Sequence, residues 1–178
     1  MDPLRLDRTA VDRFLDAAAA GLSGEWLLVG DAAAATWFDA ARITEDIDLI
    51  GLRGDRDERL QLMDLAEANG LPIEAVNSAA GYFLQRIEGW REELEPLRTG
   101  AAAIHRPTPT LFLLLRLGRL SQADLSDCLG LLAHVKQHGG RLDAARVRDA
   151  LAALPVAADA ATAGRRKELG RALDAIGR

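Results

Sequence analysis

A single cysteine, Cys128, in 178 residues leaves no intramolecular disulfide to form and no cysteine cluster to hold zinc. The histidines are equally sparse: His105, His134 and His138 lack zinc-ligand spacing. His134 and His138 stand four apart on a predicted helix, where they could meet one metal, but no acidic partner follows in register. Two solvated helix-end histidines are therefore expected. Aromatic residues make up only 4% of the chain, so the core must be built from small and aliphatic side chains, which favours closely packed helices. Positive charge is not in excess: the net charge of -5 provides no basic footprint for nonspecific DNA binding, although it leaves room for a local basic patch. There is no apolar signal segment at the start of the sequence. The longest apolar run, Leu111 to Leu117, is interrupted by Arg116 and falls far short of the ~20 residues a membrane span needs. A cytoplasmic protein with no membrane partner is expected.

What is present describes a globular chain, 49% hydrophobic and 28% charged, long enough for one domain or one domain with a helical extension. Val11, Phe14, Leu15 and Ala18 share a helical face, bounded by Gly21 and Gly24. Glu25 to Gly30 reads as a buried strand, and the alanine-rich Ala32 to Phe38 as a helix. An acidic strand, Arg42 to Leu49, follows. Leu62, Leu65 and Ala66 mark an amphipathic helix stopped by Asn69-Gly70. Pro72 to Val76 is a third strand. Glu92 to Arg98 and Ala101 to His105 make a hairpin, with Pro96 confining the first of the two to a sheet edge. From Pro109 the spacing is helical throughout. Leu125, Cys128, Leu129, Leu132 and Val135 repeat on one face behind a Ser121-x-x-Asp124 capping pattern. Gly139-Gly140 ends that helix, Asp143 caps another through Leu154, and Lys167 to Ile176 forms a last one. The expected fold class is α+β, α/β-like in its alternation, with a small mixed sheet flanked by helices over residues 1–106 and a helical bundle over 107–178.

The chemistry concentrates on Glu45-Asp46-Ile47-Asp48-Leu49. In a strand, Asp46 and Asp48 point to one face while Ile47 and Leu49 point into the core. Two carboxylates held side by side repel unless a cation lies between them, and hard, oxygen-seeking Mg²⁺ suits that place. Glu74, between Ile73 and Ala75, repeats the pattern on the later strand. On an adjacent strand it would complete a three-carboxylate cluster able to hold two metals for phosphoryl or nucleotidyl transfer. The alternative is that Asp46 and Asp48 form the solvated face of an edge strand. Upstream, Gly30 closes a strand and precedes a helix, a geometry in which backbone N–H groups can receive a phosphate.

Together, Val29-Gly30, Arg42-x-Thr44-x-Asp46-Ile47-Asp48-Leu49 and Ile73-Glu74-Ala75 resemble the polymerase-beta-like nucleotidyltransferase superfamily, in particular its bacterial branch containing the AbiEii-type toxins of toxin–antitoxin systems. The resemblance extends to Arg116-Leu117, with Asp124 eight residues after Arg116 and Asp127 three further on, and so spans about residues 25 to 130. It implies a nucleotidyltransferase core in which Asp46 and Asp48 coordinate Mg²⁺ and Glu74 ligates a second metal or activates the acceptor hydroxyl. It also implies that Gly30 approaches the triphosphate of a bound NTP and that Arg116 stands where a lysine usually neutralises it. The implied activity is Mg²⁺-dependent transfer of NMP from NTP to a hydroxyl of RNA, such as tRNA, or of a protein, with a cognate toxin or antitoxin as a further partner.

Three departures bear on that implication. Asp31 occupies the place of the family's second glycine or serine, where it suits a helix N-cap but repels a triphosphate. The stretch from Asp31 to Asp46 is about one residue longer than usual. Ala123 and Arg116 replace two lysines, and of the pair only arginine still binds phosphate. An altered nucleotide site and a catalytically silent fold acting as an interaction or regulatory partner are both compatible with this pattern. Arg42 either contacts phosphate or pairs with a neighbouring acid, and Thr44 either joins the nucleotide site or simply favours the strand. Asp124 and Asp127 are either ligands or helix-start caps. Trp26, Trp37 and Trp90 are read as core packing.

Overall fold

The computed structural model describes residues 6–38, 44–53, 56–72, 75–77 and 81–176. Two of the candidate site residues, Arg42 and Glu74, lie outside the described residues. The chain divides into two compact units, Met1–Pro107 and Thr108–Arg178. The class is α+β, with the strands in the first unit and helices alone among the described elements of the second.

In the first unit, helix α1 (Arg8–Gly21) starts where the Asp7 side chain accepts the Ala10 N–H. It buries Val11, Phe14, Leu15, Ala18 and Ala19, the face its spacing predicts. Strand β1 (Gly24–Val29) follows and is buried from Trp26 to Val29, as befits a strand covered on both faces. The Trp26 indole N–H donates to the Ser23 carbonyl, so the largest buried side chain leaves no unpaired donor. Helix α2 is short, Gly30–Ala34, and does not run to Phe38 as the alanine content suggests. The reason lies at its end. The Thr36 hydroxyl takes the Ala33 carbonyl, and the Thr36 and Trp37 N–H groups fall back on i−3 carbonyls instead of continuing the helix. The Arg8 guanidinium then binds the Ala35 carbonyl at 2.5 Å, and that of Arg106 binds the Thr36 carbonyl and hydroxyl. Arg106 also stacks over the buried Trp37 ring.

Strand β2 (Ile47–Gly51) pairs antiparallel with β1, and helix α3 (Arg56–Ala68) follows it. The Arg42 end of the expected acidic strand lies outside the described residues, and the strand begins after Asp46. Thr44 explains why. Its backbone makes a two-bond bridge to Leu6, and its hydroxyl donates to the Asp46 carbonyl at 2.9 Å, fixing a bend through Glu45. Strand β3 is likewise shorter than the run Pro72 to Val76. It comprises Val76–Asn77, with the Ala75 N–H still bonded back to the Pro72 carbonyl. A one-turn helix α4 (Gly81–Leu84) and a 3₁₀ turn (Trp90–Glu93) lead into strand β4 (Leu94–Thr99) and strand β5 (Ala102–Pro107).

The sheet order is β3-β2-β1-β5-β4, with β1/β2 and β4/β5 antiparallel and β2/β3 and β1/β5 parallel. The hairpin β4–β5 matches expectation, and β4 lies at the edge that Pro96 requires, with a bulge between Pro96 and Arg98. Arg98 ties this edge to α1 through Asp12 and Asp16. β2 is an interior strand, paired with β3 at Ile47 and Asp48, so Asp48 does not lie on a sheet edge.

In the second unit, Thr108 caps helix α5 (Pro109–Leu117), with proline in the first turn, where its missing N–H is harmless. Helix α6 (Gln122–His138) carries the full Ser121/Asp124 capping box and ends at Gly139. Asp143 caps helix α7 (Ala144–Ala152), which stops two residues before Leu154. The last helix, α8, spans Ala160–Ile176 and begins seven residues before Lys167. Its start is set by Asp159, whose side chain accepts the Thr162 N–H at 2.7 Å. The first turns of α8 hold only alanine, threonine and glycine, so no apolar spacing announces them.

Candidate functional site

The site is built where β1 ends. The antiparallel register sets Val29 opposite Asp48, and the chain then turns at Gly30 into α2. Gly30 adopts φ +67°, a left-handed conformation that favours glycine. A Cβ there would overlap the Asp48 carboxylate, so the glycine is what lets that carboxylate seat itself against the turn. Burial alternates as the sequence predicts: Ile47 and Leu49 are buried, whereas Asp48 is half-buried. On its other side, Asp48 pairs in register with Asn77 of β3.

Asp46 is half-buried and precedes the strand, so strand alternation does not by itself set its direction. Its carbonyl is held by the Thr44 hydroxyl, and Thr44 is buried behind the Leu6 bridge. Thr44 thus serves to fix the approach to Asp46. Asp31 lies in the first turn of α2, one residue past Gly30; the N-cap position belongs to Val29, not to Asp31 as expected. Its charge still favours the N-terminal end of the helix. Gly30, Asp31 and Asp48 are therefore brought to one turn, with Asp46 two residues before Asp48. Among the described residues no group of three or more His, Cys, Asp or Glu side chains is arranged to hold a metal, and Glu74 lies outside that set.

Arg116 and Asp124 belong to a different structure inside the second unit. Arg116 is buried, with one guanidinium nitrogen 2.6 Å from Asp124 and the other 3.3 Å from Asp127. Asp124 is fully buried and also receives two hydrogen bonds from Arg119 and the Ser121 N–H. Burial pushes the Asp124 pKa up, but bonds from Arg119 and Ser121 and the charge of Arg116 outweigh it and hold the carboxyl far below the usual carboxylate range. This geometry favours the capping alternative for Asp124 over the ligand alternative. Cys128, one turn on, is buried, and that burial pushes its thiol up to about 12. His134 and His138 stack loosely, with ring centroids 4.6 Å apart. Trp26 and Trp37 are core residues, but Trp90 is only half-buried, under the Arg91 guanidinium.

Several anchoring residues give no signal along the sequence. Arg106 reaches a partner 70 positions away, and Arg98 partners 82 and 86 away, so nothing local marks them. Glu58 is a buried acid whose carboxylate accepts the Arg53 N–H and pairs with the Arg53 side chain. No helix among the described residues is long and apolar enough to cross a membrane. Comparison of the chain with protein-family models, with curated proteins and with solved structures gives no match.

Proposed function

We propose that the chain is a Mg²⁺-dependent nucleotidyltransferase, transferring NMP from NTP to a hydroxyl of RNA or protein. The observation that carries this reading is the seating of the Asp48 carboxylate against the left-handed Gly30 turn, with Asp46 two residues upstream. The donor set suits the ion, because carboxylate oxygens are the ligands a hard cation prefers. Asp46 and Asp48 would hold Mg²⁺, and Glu74 is the third acid of the proposal. When bound, the cation supplies neutralisation of the triphosphate charge. In the transfer, the acceptor hydroxyl oxygen bonds to the α-phosphorus as the bond to the pyrophosphate oxygen breaks. Pyrophosphate leaves with that electron pair, and the hydroxyl proton passes to a carboxylate. The Asp48 carboxylate occupies the space a Gly30 side chain would take, and the Asp31 charge beside the turn weakens the attraction for a phosphate.

Incubation of the full chain with α-phosphate-labelled NTP, Mg²⁺ and bacterial RNA or protein tests the reading. Label should enter an acceptor, and Asp46→Ala or Asp48→Ala should abolish it. Undiminished labelling by both variants would sink the assignment.

A second reading is a catalytically silent protein of this fold, acting through a macromolecular partner such as a cognate toxin or antitoxin. The observation in its favour is Arg116, the counterpart of the phosphate-neutralising lysine, which is buried and bound by Asp124 and Asp127. It fails if Asp46→Ala removes the biological effect while fold and partner binding persist.

A further inference from the structure

Aromatic side chains are scarce in this chain, and all but two of those among the described residues are buried or half-buried. The exceptions are adjacent. Tyr82 is 61% exposed and Phe83 60% exposed on the one-turn helix α4. They are packed edge to face, with centroids 5.6 Å apart. The Arg86 guanidinium stacks on the Tyr82 ring, 4.2 Å from its centroid, and donates to the Tyr82 hydroxyl, which pins the ring in place.

The position of this pair is set by β2. Ile50 and Asp48 are two residues apart on that strand, so their side chains share one face, separated by roughly 7 Å of strand rise. Gly81, which opens α4, lies directly over the Ile50 side chain: a Cβ there would come 3.3 Å from Ile50 Cγ2. Leu84 is buried behind it. Helix α4, which carries the exposed rings, thus begins over the face of the sheet that carries Asp48.

We infer, resting on the proposed function, that Tyr82, Phe83 and Arg86 form the base-side subsite for the incoming nucleoside triphosphate. Each component suits that occupant. The Phe83 ring and the Tyr82 face opposite Arg86 offer stacking to a purine or pyrimidine, which every base can use. Arg86 adds a cation complementary to a nucleotide's phosphates. Two adjacent rings and one cation match a single base and its phosphates in size, which points to a mononucleotide.

Titration calorimetry of the full chain with Mg²⁺ and each of ATP, GTP, CTP, UTP and inorganic tripolyphosphate tests this. Tripolyphosphate has the charge but no base. The wild type should bind at least one NTP about tenfold or more tighter than tripolyphosphate, the range stacking supplies. The Tyr82→Ala/Phe83→Ala variant should lose that preference while keeping its tripolyphosphate affinity. The Tyr82→Phe/Phe83→Tyr swap, which retains both rings, should keep the preference. An alanine variant that still prefers NTP overturns the subsite and leaves the proposed reaction standing. So does an alanine variant that loses both ligands equally while the swap keeps both, because the rings then support the fold. A wild-type dimer that the alanine variant converts to monomer with NTP affinity unchanged assigns the rings to a second copy instead. A wild type that binds neither ligand overturns the proposed function, and the subsite with it.

Discussion

At Gly30 any side chain would meet the Asp48 carboxylate. Gly30→Ala places a Cβ in a left-handed backbone and against the Asp48 carboxylate. The conformational part alone costs about 1–2 kcal/mol, and for a chain of this length that lowers Tm by roughly 2–8 °C. Differential scanning calorimetry should show the drop, and Mg²⁺-NTP binding should weaken with it because Asp48 must move. An unchanged Tm with unchanged binding would mean that Gly30 and Asp48 are not in contact. Asp31 gives the opposite sign. Asp31→Ser removes a negative charge beside the turn and should tighten NTP binding about fivefold, the equivalent of about 1 kcal/mol for one charge at close range in water. Calorimetric titration checks it, and weaker binding would show that Asp31 assists the nucleotide. The alternation of apolar and acidic residues made Asp48 and its buried neighbours Ile47 and Leu49 legible in the sequence. The bend ahead of the strand was not, because a Thr44 hydroxyl bond and a backbone bridge from Leu6, distant in sequence, hold it.

Among the elements, those with local punctuation were readable and those ended by distant partners were not. The Ser121/Asp124 capping box, the Pro96 edge strand and the helix face of α1 each rest on residues within a few positions of one another. The early end of α2 rests on guanidinium groups from Arg8 and Arg106, which no window of sequence brings together. The capping box also carries a pH signature. Asp124 has a folded-state pKa well below its unfolded value, held there against burial by bonds from Arg119 and Ser121 and the charge of Arg116. Its stabilisation is therefore complete above the unfolded carboxylate pKa, about 3.9. It is lost progressively as pH falls below that value and through the lower folded one. Thermal melts from pH 7 to pH 2 should show wild type losing its advantage over Asp124→Asn on the acid side. A difference between the two that stays constant to pH 2 would contradict the ionised state of Asp124. Ser121→Ala should cost about 1 kcal/mol, the usual worth of an N-cap side chain.

For the molecule as a whole, the class was legible because strand and helix periods alternate as far as the hairpin and helical spacing alone continues from Pro109. The strand lengths were less so: β3 is two residues and β2 five, too short for period alone to place their ends. The proposed function requires Asp46 and Asp48 to hold Mg²⁺-NTP beside the Gly30 turn. A thermal-shift panel of the full chain with each of the four NTPs, with and without Mg²⁺, tests it most directly. A ligand at a hundredfold excess over its Kd stabilises by about 2.7 kcal/mol, a Tm rise of roughly 5–10 °C at this chain length. Such a rise is expected for at least one NTP only when Mg²⁺ is present, and it should be lost in Asp48→Asn. No Mg²⁺-dependent rise with any NTP, or the same rise in Asp48→Asn, would contradict it.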